Sequence, residues 1–352
     1  SPVVDQGECG NCWACSSSTA MTDRLNVLKN VNHDSAFKAW NNVPISITMM
    51  ASCDRACTEQ ICTDGCNGAD VGTALRFFTS KDSAGMGSTD CMPLLDIDQI
   101  KEKRSRIPKL SQCELENGNC TSEQAQCNVC DNGSQMVSNV FVKPNSVVRH
   151  TQAEEIKQDI YANGPLVGTF QVLQDFETNS PHGSKPFEQT GGIYIENPTG
   201  PQPGNPPTPS FHAVVVVGWG HQMVQLDKFK TADVPYWVVR NSWGTDWATD
   251  GYWKHAMQNS AKNINMRSGL EGVQALGEGD DASWLDKAGG CVSFDPQLMG
   301  NSPSPPASTS PSPVRTPLSP VRTPQSNSDN TKSIIWLLLL LMVIGFSIFL
   351  LK

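Results

Sequence analysis

The sequence predicts an α+β protein in which a helix-rich first half and a strand-rich second half enclose a cleft. Met21, Leu25 and Leu28 recur at the spacing of one helix face. Two β-branched runs, His212–Gly220 and Tyr236–Gly244, end in glycines and are typical of strands. A stalk and a membrane-spanning helix are expected to follow, so the predicted domains are residues 1–290, 291–332 and 333–352.

The charge pattern argues against nucleic acid as a partner. The 352 residues carry a formal net charge of -9, from 26 basic and 35 acidic side chains. No basic block is interleaved with aromatic residues, as nucleic-acid-binding surfaces require. The length suffices for one large domain or two ordinary ones.

Thirteen cysteines indicate an oxidising, secretory-type compartment. Nine of them lie between Cys53 and Cys130, where Asn119 and Asn132 begin N-glycosylation sequons. A zinc site is the alternative, since Cys57, Cys62, Cys66, Cys127 and Cys130 form short spacings. Those spacings are irregular and the segment lacks histidine, so neither a metal nor a cofactor is expected.

The C-terminal segment predicts a membrane anchor. Ile334–Leu351 has 18 residues without a charge, and at about 1.5 Å per residue it spans roughly 27 Å of a bilayer core of about 30 Å. Lys332 and Lys352 flank it, so positive charge does not decide the orientation. A glycolipid-anchor signal is an alternative, and a buried helix is disfavoured because the segment has no polar face.

A proline-, serine- and threonine-rich stretch, Ser302–Asn330, precedes the anchor and repeats "SPVRTP" at Ser312 and Ser319. It has almost no apolar bulk and cannot build a core, so it predicts a disordered stalk. The chain is therefore expected to be a single-pass membrane protein whose globular part is lumenal or extracellular.

Three reactive residues fall at the junctions of predicted elements. Cys12 lies where a glycine-containing turn leads into a helix, and a helix N-terminus favours a thiolate. His212 begins a strand and Asn241 ends one. A thiol nucleophile needs an imidazole to accept its proton, and the imidazole needs an orienting acceptor. Spacing alone does not bring these residues together.

Four blocks resemble the signatures of papain-like cysteine peptidases. They are "QGECGNCW" from Gln6, "DGCNG" from Asp64, "FHAVVVVGWG" from Phe211 and "YWVVRNSWGTDWATDGYW" from Tyr236. In that family the His and Asn follow the Cys by roughly 130–150 residues. Here they follow Cys12 by 200 and 229 residues, which indicates insertions.

Further stretches resemble the cathepsin B-like branch. They are "SCDRACTEQICTDGCNG" from Ser52, "EIKQDIYANGPLVGTFQV" from Glu155 and "MTDRL" from Met21. The resemblance covers residues 1 to about 285. It implies a papain-like fold with a helix-rich left domain, a β-barrel-like right domain and the active-site cleft between them.

The resemblance also implies the site residues. Cys12 is the nucleophile, His212 its general base and acid, and Asn241 the orienting amide. Gln6 donates to the oxyanion together with the Cys12 N–H, and Trp243 shields the Asn–His bond. Partners would be protein or peptide substrates, and an inhibitory propeptide that is not part of these 352 residues.

The disulfides that the resemblance implies include ten of the thirteen cysteines; Cys12, Cys15 and Cys291 are not included. The pairs are Cys9–Cys66, Cys53–Cys127, Cys57–Cys62, Cys91–Cys130 and Cys113–Cys120. "CGNC" also resembles a thioredoxin-type redox pair, but no βαβ unit surrounds it. Cys15 is expected to be a small buried hydrophobe, because a disulfide to Cys12 is awkward within one helical turn. Cys291 is either a thiol or a link between two chains.

The expected peptidase specificity follows from positions where this sequence differs from the cathepsin B-like branch. No histidine occurs from Asp34 to Arg149, where cathepsin B carries a histidine pair that grips a substrate's C-terminus. "KEKRSR" from Lys101 is either a solvated loop or a site for substrate carboxylates, and endopeptidase action is expected. Gly68 and Ala69 would line the substrate backbone.

The sequence also predicts the character of the P2 pocket and the function class. Val273 would make the base of the P2 pocket apolar and favour Leu, Val or Phe. A catalytically silent binding protein on the same scaffold and a transpeptidase are the alternatives. Gln6, Cys12, His212 and Asn241 are all present, which favours the peptidase.

Overall fold

The computed structural model describes residues 1–54, 63, 65–79, 85–106, 129–134, 139–150, 152–172, 176, 187, 191–195, 210–225, 231–257 and 291–299. The α-helices are α1 Cys12–Asn26, α2 Ile47–Cys53, α3 Val71–Phe77, α4 Ile97–Arg106 and α5 Ala153–Asn163. The strands are β1 Asn139–Val142, β2 Val148–His150, β3 Leu166–Val172, β4 Ile193–Tyr194, β5 Ser210–Gln225, β6 Thr231–Arg240, β7 Tyr252–Ala256, β8 Cys291–Ser293 and β9 Pro296–Met299.

Helix α1 is buried along its length, from Trp13 to Leu25. Such a helix must satisfy its polar side chains internally. The hydroxyls of Ser16, Thr19 and Thr22 do so by donating to the carbonyl four residues earlier, at 2.8–2.9 Å. A π-helical turn, residues 27–31, continues the helix beyond the point where the sequence pattern ends at Leu28.

The described strands form two sheets in which most neighbours pair antiparallel. Seven of them follow the order β2-β8-β3-β5-β6-β7-β4, and β1 pairs separately with β9. The end strands β2 and β4 are not neighbours in that order, so the described strands do not close the barrel-like domain that the resemblance implied. The two β-branched runs of the sequence are β5 and β6, and they pair antiparallel with a register shift between Val216 and Gly218.

Two hydrophobic cores correspond to the two predicted halves. The first surrounds α1 and contains Trp13, Met21, Leu25 and Leu75. The second lies between α5 and the sheet and is mostly aromatic and β-branched; it contains Phe170, Phe176, Val214, Val216, Trp237, Trp247 and Trp253. Strand β5 serves both cores, because Ala213 and Val215 join the first and their neighbours join the second.

The globular part extends further than the predicted boundary at residue 290. Cys291 and Val292 are completely buried in β8, which pairs with β2 and β3. Strand β9 then pairs with β1 from Asn139 to Val142. Residues 291–299 therefore belong to the fold and not to the stalk, because their backbone and side chains complete both sheets.

Within the described ranges, no helix has both the length and the apolar character needed to cross a bilayer. The predicted anchor, residues 334–351, and the predicted stalk, residues 302–330, lie outside those ranges.

Candidate active site

The turn before α1 is held by a disulfide and a close backbone contact. Cys9 is bonded to Cys66, and the Gly10 N–H donates to the Cys66 carbonyl at 2.9 Å. A Cβ on Gly10 would lie 2.3 Å from that carbonyl oxygen. Only glycine fits here, and the contact fixes where α1 begins at Cys12.

The Cys12 sulfur lies at the N-terminus of α1 and beside the start of β5. The backbone N–H of Ala213 donates to Sγ at 3.4 Å. Burial raises the pKa of the Cys12 thiol, while the N–H groups of Ala213, Trp13 and Cys12 itself lower it. The thiol is thus protonated until a base accepts its proton.

His212, the residue predicted to act as that base, lies on β5. Its Nε2 lies 2.7 Å from Oδ1 of Asn241, which follows β6. Asn241 Oδ1 also accepts the N–H of Ser242 at 2.9 Å, so it faces His212 as an acceptor and Nε2 carries the proton. The acceptor nitrogen that remains is Nδ1. Burial lowers the pKa of His212 to about 4, and the Asn241 hydrogen bond opposes that shift.

Aromatic rings cover the imidazole. Trp243 stacks on His212 with ring centroids 4.8 Å apart and planes inclined by 27°. Phe170, opposite His212 in the β3–β5 pairing, meets the imidazole edge-on at 6.0 Å. Phe176 and Trp247 pack against Trp243 in turn. The rings exclude water from the Asn241–His212 hydrogen bond, which strengthens it.

Gln6 is held between Ser242 and Cys9 by its backbone and its side chain. Its N–H donates to the Ser242 carbonyl at 2.9 Å, and its Oε1 accepts from the Ser242 hydroxyl. Its Nε2 donates one hydrogen to the Cys9 carbonyl at 2.7 Å, which leaves the second hydrogen for another acceptor. The structure thus orients an amide donor near the N-terminus of α1.

Sequence reasoning missed the partners that hold this machinery. Ser242 was not singled out, although it adjoins Asn241, and Phe170 was not connected with His212. Phe176 and Trp247 were likewise not singled out. Only the register of β3 against β5 would have revealed Phe170, because the two residues are 42 positions apart in the chain.

The predicted substrate-backbone segment adjoins the site. Asn67 pairs with Gly10 in a parallel bridge, and Gly68 follows with φ +102. Ala69 is half-buried and packs against the first core. Val273 lies outside the described residues, so the predicted P2 pocket is not described.

Two of the implied disulfides are present, Cys9–Cys66 and Cys91–Cys130. The first rules out the alternative redox pair of Cys9 with Cys12. Cys53 is also in a disulfide, while Cys57, Cys62, Cys113, Cys120 and Cys127 lie outside the described residues. Cys15 is buried, as expected, and so is the Cys291 thiol, which argues against a link between two chains.

The remaining predicted sites are only partly described. Asn132 is exposed in a turn, where its Oδ1 accepts from the Ser134 N–H at 2.9 Å; Asn119 lies outside the described residues. Among the residues described, no group of three or more His, Cys, Asp or Glu side chains could hold a metal ion.

Most of this chain is similar in sequence to known proteins. The profile of the papain family cysteine proteases matches residues 1–271. Cathepsin B-like cysteine proteinase 1 of Ostertagia ostertagi is 28% identical over 262 residues, 72% of this chain and 62% of that protein. Cathepsin B-like cysteine proteinase 6 of Caenorhabditis elegans is 28% identical over 286 residues, 77% of this chain and 61% of that protein.

The chain thus spans about three fifths of the length of these curated relatives. A similar solved structure is proCathepsin B S9 from Trypanosoma congolense, with a TM-score of 0.47 and 22% identity. The match covers 84% of this chain and 72% of that one.

Proposed function

Because this chain belongs to the papain family of cysteine proteases, we propose that it is a cathepsin B-like endopeptidase. Peptide bonds are cleaved through a thioester on Cys12. One observation supports the proposal most directly. Cys12 Sγ contacts the start of β5 at the Ala213 N–H, and the neighbouring His212 is hydrogen-bonded from Nε2 to Asn241 Oδ1 at 2.7 Å. Residues from α1, β5 and the end of β6 supply nucleophile, base and orienter in one place.

The proposed mechanism assigns each of these groups a step. His212 Nδ1 accepts the Cys12 proton as Sγ attacks the substrate carbonyl. The oxyanion receives hydrogen bonds from the Cys12 N–H and the second Gln6 Nε2 hydrogen; losing one such donor typically costs about 10²–10³-fold in rate. The imidazolium then protonates the leaving amine, and water attacks the thioester with His212 as base. An amine in place of water would give transpeptidation.

Matched histidine variants on one strand test the proposal. The full chain is assayed with fluorogenic dipeptide-amides under reducing, mildly acidic conditions. His212→Ala and Cys12→Ala are expected to abolish hydrolysis, while His221→Ala, an exposed position on β5, retains it. Leu at P2 is expected to be cleaved faster than Arg. A folded wild-type chain with no activity would instead support the binding-protein alternative.

Endopeptidase action is proposed because the segment from Asp34 to Arg149 has no histidine to grip a substrate's C-terminal carboxylate. The basic "KEKRSR" run is the C-terminal part of α4, and Lys101 is exposed. Product mapping on a peptide with a free C-terminus checks this, with an amidated copy as the control. Faster dipeptide release from the free acid than internal cleavage would refute the proposal.

The proposal includes a membrane anchor at Ile334–Leu351 and a lumenal or extracellular peptidase domain. Its support is the uncharged 18-residue run, long enough for a bilayer core. Asn119 and Asn132 would then be glycosylated. Alkaline carbonate extraction of membranes tests the anchor, and glycosidase digestion tests the location. Full release by carbonate would contradict anchoring.

A further inference from the structure

Two thiols share the first turn of α1. Cys12 is the first helical residue and Cys15 lies three positions later, so a second C-x-x-C sequence directly overlaps the one that Cys9 begins. Neither Cys12 nor Cys15 is in a disulfide. Cys15 is 1% exposed, and its Sγ donates to Asn11 Oδ1 at 3.6 Å.

A bond between them is awkward on a regular helix because of the Cβ separation, but the Cα separation permits it. An ideal α-helix places Cα atoms three residues apart at about 5 Å, within the range of about 4.4–6.8 Å found across disulfides. The Cβ atoms, about 5–6 Å apart on a regular helix, must approach to about 3.5–4.5 Å. The Cys12 Cβ can move toward Cys15, because the N–H of a first helical residue has no acceptor within the helix and its backbone is therefore less constrained.

The two thiols differ in access and reactivity. Cys12 is partly exposed and its sulfur receives backbone N–H donors. Burial and then the charge of a Cys12 thiolate raise the pKa of Cys15, which keeps it a protonated thiol. An oxidant that enters the site therefore meets Cys12 first, and Cys15 stands behind it in the same turn.

We propose that Cys15 is a resolving cysteine for the nucleophile, so that a hydroperoxide converts the site reversibly into a Cys12–Cys15 disulfide. The inference rests on the proposed role of Cys12. In the first step Cys12 sulfur attacks a peroxide oxygen, the O–O bond breaks, and the second oxygen leaves as water or an alcohol with the thiol proton. Cys12 becomes a sulfenic acid.

In the second step Cys15 sulfur attacks the Cys12 sulfur and displaces its hydroxyl group. The Cys15 proton leaves with that group as water. The two thiols lose two electrons and the peroxide gains them. A dithiol reductant reverses the bond by exchange, whereas a sulfenic acid without a partner proceeds to sulfinic acid, which such reductants do not restore.

Trp13 makes the bond directly measurable. The full chain is treated with hydrogen peroxide, blocked with N-ethylmaleimide, and digested with chymotrypsin without reduction. Cleavage after Trp13 separates Cys12 from Cys15 unless a disulfide joins them. Mass spectrometry is expected to find the joined peptides in the wild type, and sulfinic acid on Cys12 in Cys15→Ala and Cys15→Ser.

Recovery of hydrolysis gives the second readout. After peroxide, dithiothreitol is expected to restore most of the wild-type activity and little of either Cys15 variant's, each relative to its own reduced form. Cys291→Ala, a buried cysteine on another element, should behave as wild type. Sulfinic acid on Cys12 in the wild type without joined peptides would overturn the inference. Joined peptides in a chain without hydrolysis would refute the proposed function alone.

Discussion

At the scale of single residues, burial sets the protonation of the proposed nucleophile and its proposed base. It raises the pKa of Cys12 and lowers that of His212 to about 4, so both groups are neutral at mildly acidic to neutral pH. A neutral imidazole can accept the thiol proton, and Asn241 keeps that imidazole in the tautomer that leaves Nδ1 as the acceptor.

Asn241→Ala tests that orienting role. Without the Oδ1 acceptor the His212 ring loses its fixed tautomer and direction, and kcat/KM is expected to fall by about 10²-fold or more, since positioned acid–base catalysis contributes about 10²–10⁴-fold. The measurement is kcat/KM on a dipeptide-amide, with the surface variant Asn32→Ala as control. Unchanged kcat/KM in Asn241→Ala would mean that the ring is oriented by Trp243 and Phe170 alone.

At the scale of elements, α1 is the part of the fold on which the site depends. Its start is set by the Gly10–Cys66 contact, and its last turn is anchored by a fully buried arginine. Arg24 donates from Nε to the Pro165 carbonyl at 2.7 Å and from Nη1 to the Phe294 carbonyl at 2.9 Å. It also forms an ion pair with Asp159 on α5. These bonds connect α1 to the segments beside β3 and β8.

Gly10→Ala is expected to destabilise the protein by about 3 kcal/mol, in the range of mutations that force a backbone shift. The new Cβ would lie 2.3 Å from the Cys66 carbonyl oxygen, which must move together with the Cys9–Cys66 disulfide. Gly218→Ala is the control, because nothing lies within 4 Å of its Cβ position. Urea unfolding of both variants checks the difference, and equal stabilities would refute it.

Arg24→Met removes the ion-pair partner of the largely buried Asp159 carboxylate and the donor to the carbonyls of Pro165 and Phe294. Breaking a buried ion pair by removing one partner typically costs about 3–5 kcal/mol, and a loss of that size is expected in urea unfolding. Arg76→Met, at an exposed position near the end of α3, should change stability by no more than about 0.5 kcal/mol. If Arg24→Met lowers the free energy of unfolding no more than Arg76→Met does, water must replace the hydrogen bonds of the arginine.

At the scale of the whole molecule, two buried imidazoles make the fold sensitive to acid. Burial lowers the pKa of His255 to about 3 and that of His212 to about 4. An unfolded chain titrates its histidines near 6.5. Between pH 6.5 and 4 the unfolded state therefore binds protons that the folded state does not, and the free energy of unfolding falls as the pH falls.

His255→Gln tests the larger of the two contributions. Each buried histidine lowers the free energy of unfolding by about 1.4 kcal/mol per pH unit of acidification. Acidification from about pH 6.5 to 4.5 therefore lowers it by about 3 kcal/mol per histidine. The variant is expected to lose about half of this acid sensitivity, while its stability at pH 7 reports any packing cost separately. Urea unfolding across this pH range is the measurement, and a slope equal to the wild type's would contradict the assignment.

Part of this architecture follows from local sequence patterns. The helix at Met21 and the strands at His212 and Tyr236 are where the periodicity places them, because periodicity reports which face of an element is buried. The sequence also named Cys12, His212, Asn241 and Gln6, which the structure brings together. The described strands do not close the barrel-like domain that the resemblance implied, and β8 and β9 continue the fold past residue 290. Both features depend on strand pairing between distant residues, which local patterns do not encode.

The sequence by itself predicted which groups would carry the chemistry: a thiol at a helix start, an imidazole on a strand, and two amides. Only the tertiary structure decided their partners. Ser242 holds Gln6, Phe170 faces His212, and Arg24 reaches Phe294 across 270 positions of the chain. The physical reason is that local patterns encode which face of an element is buried, whereas strand register and helix placement come from packing over the whole chain.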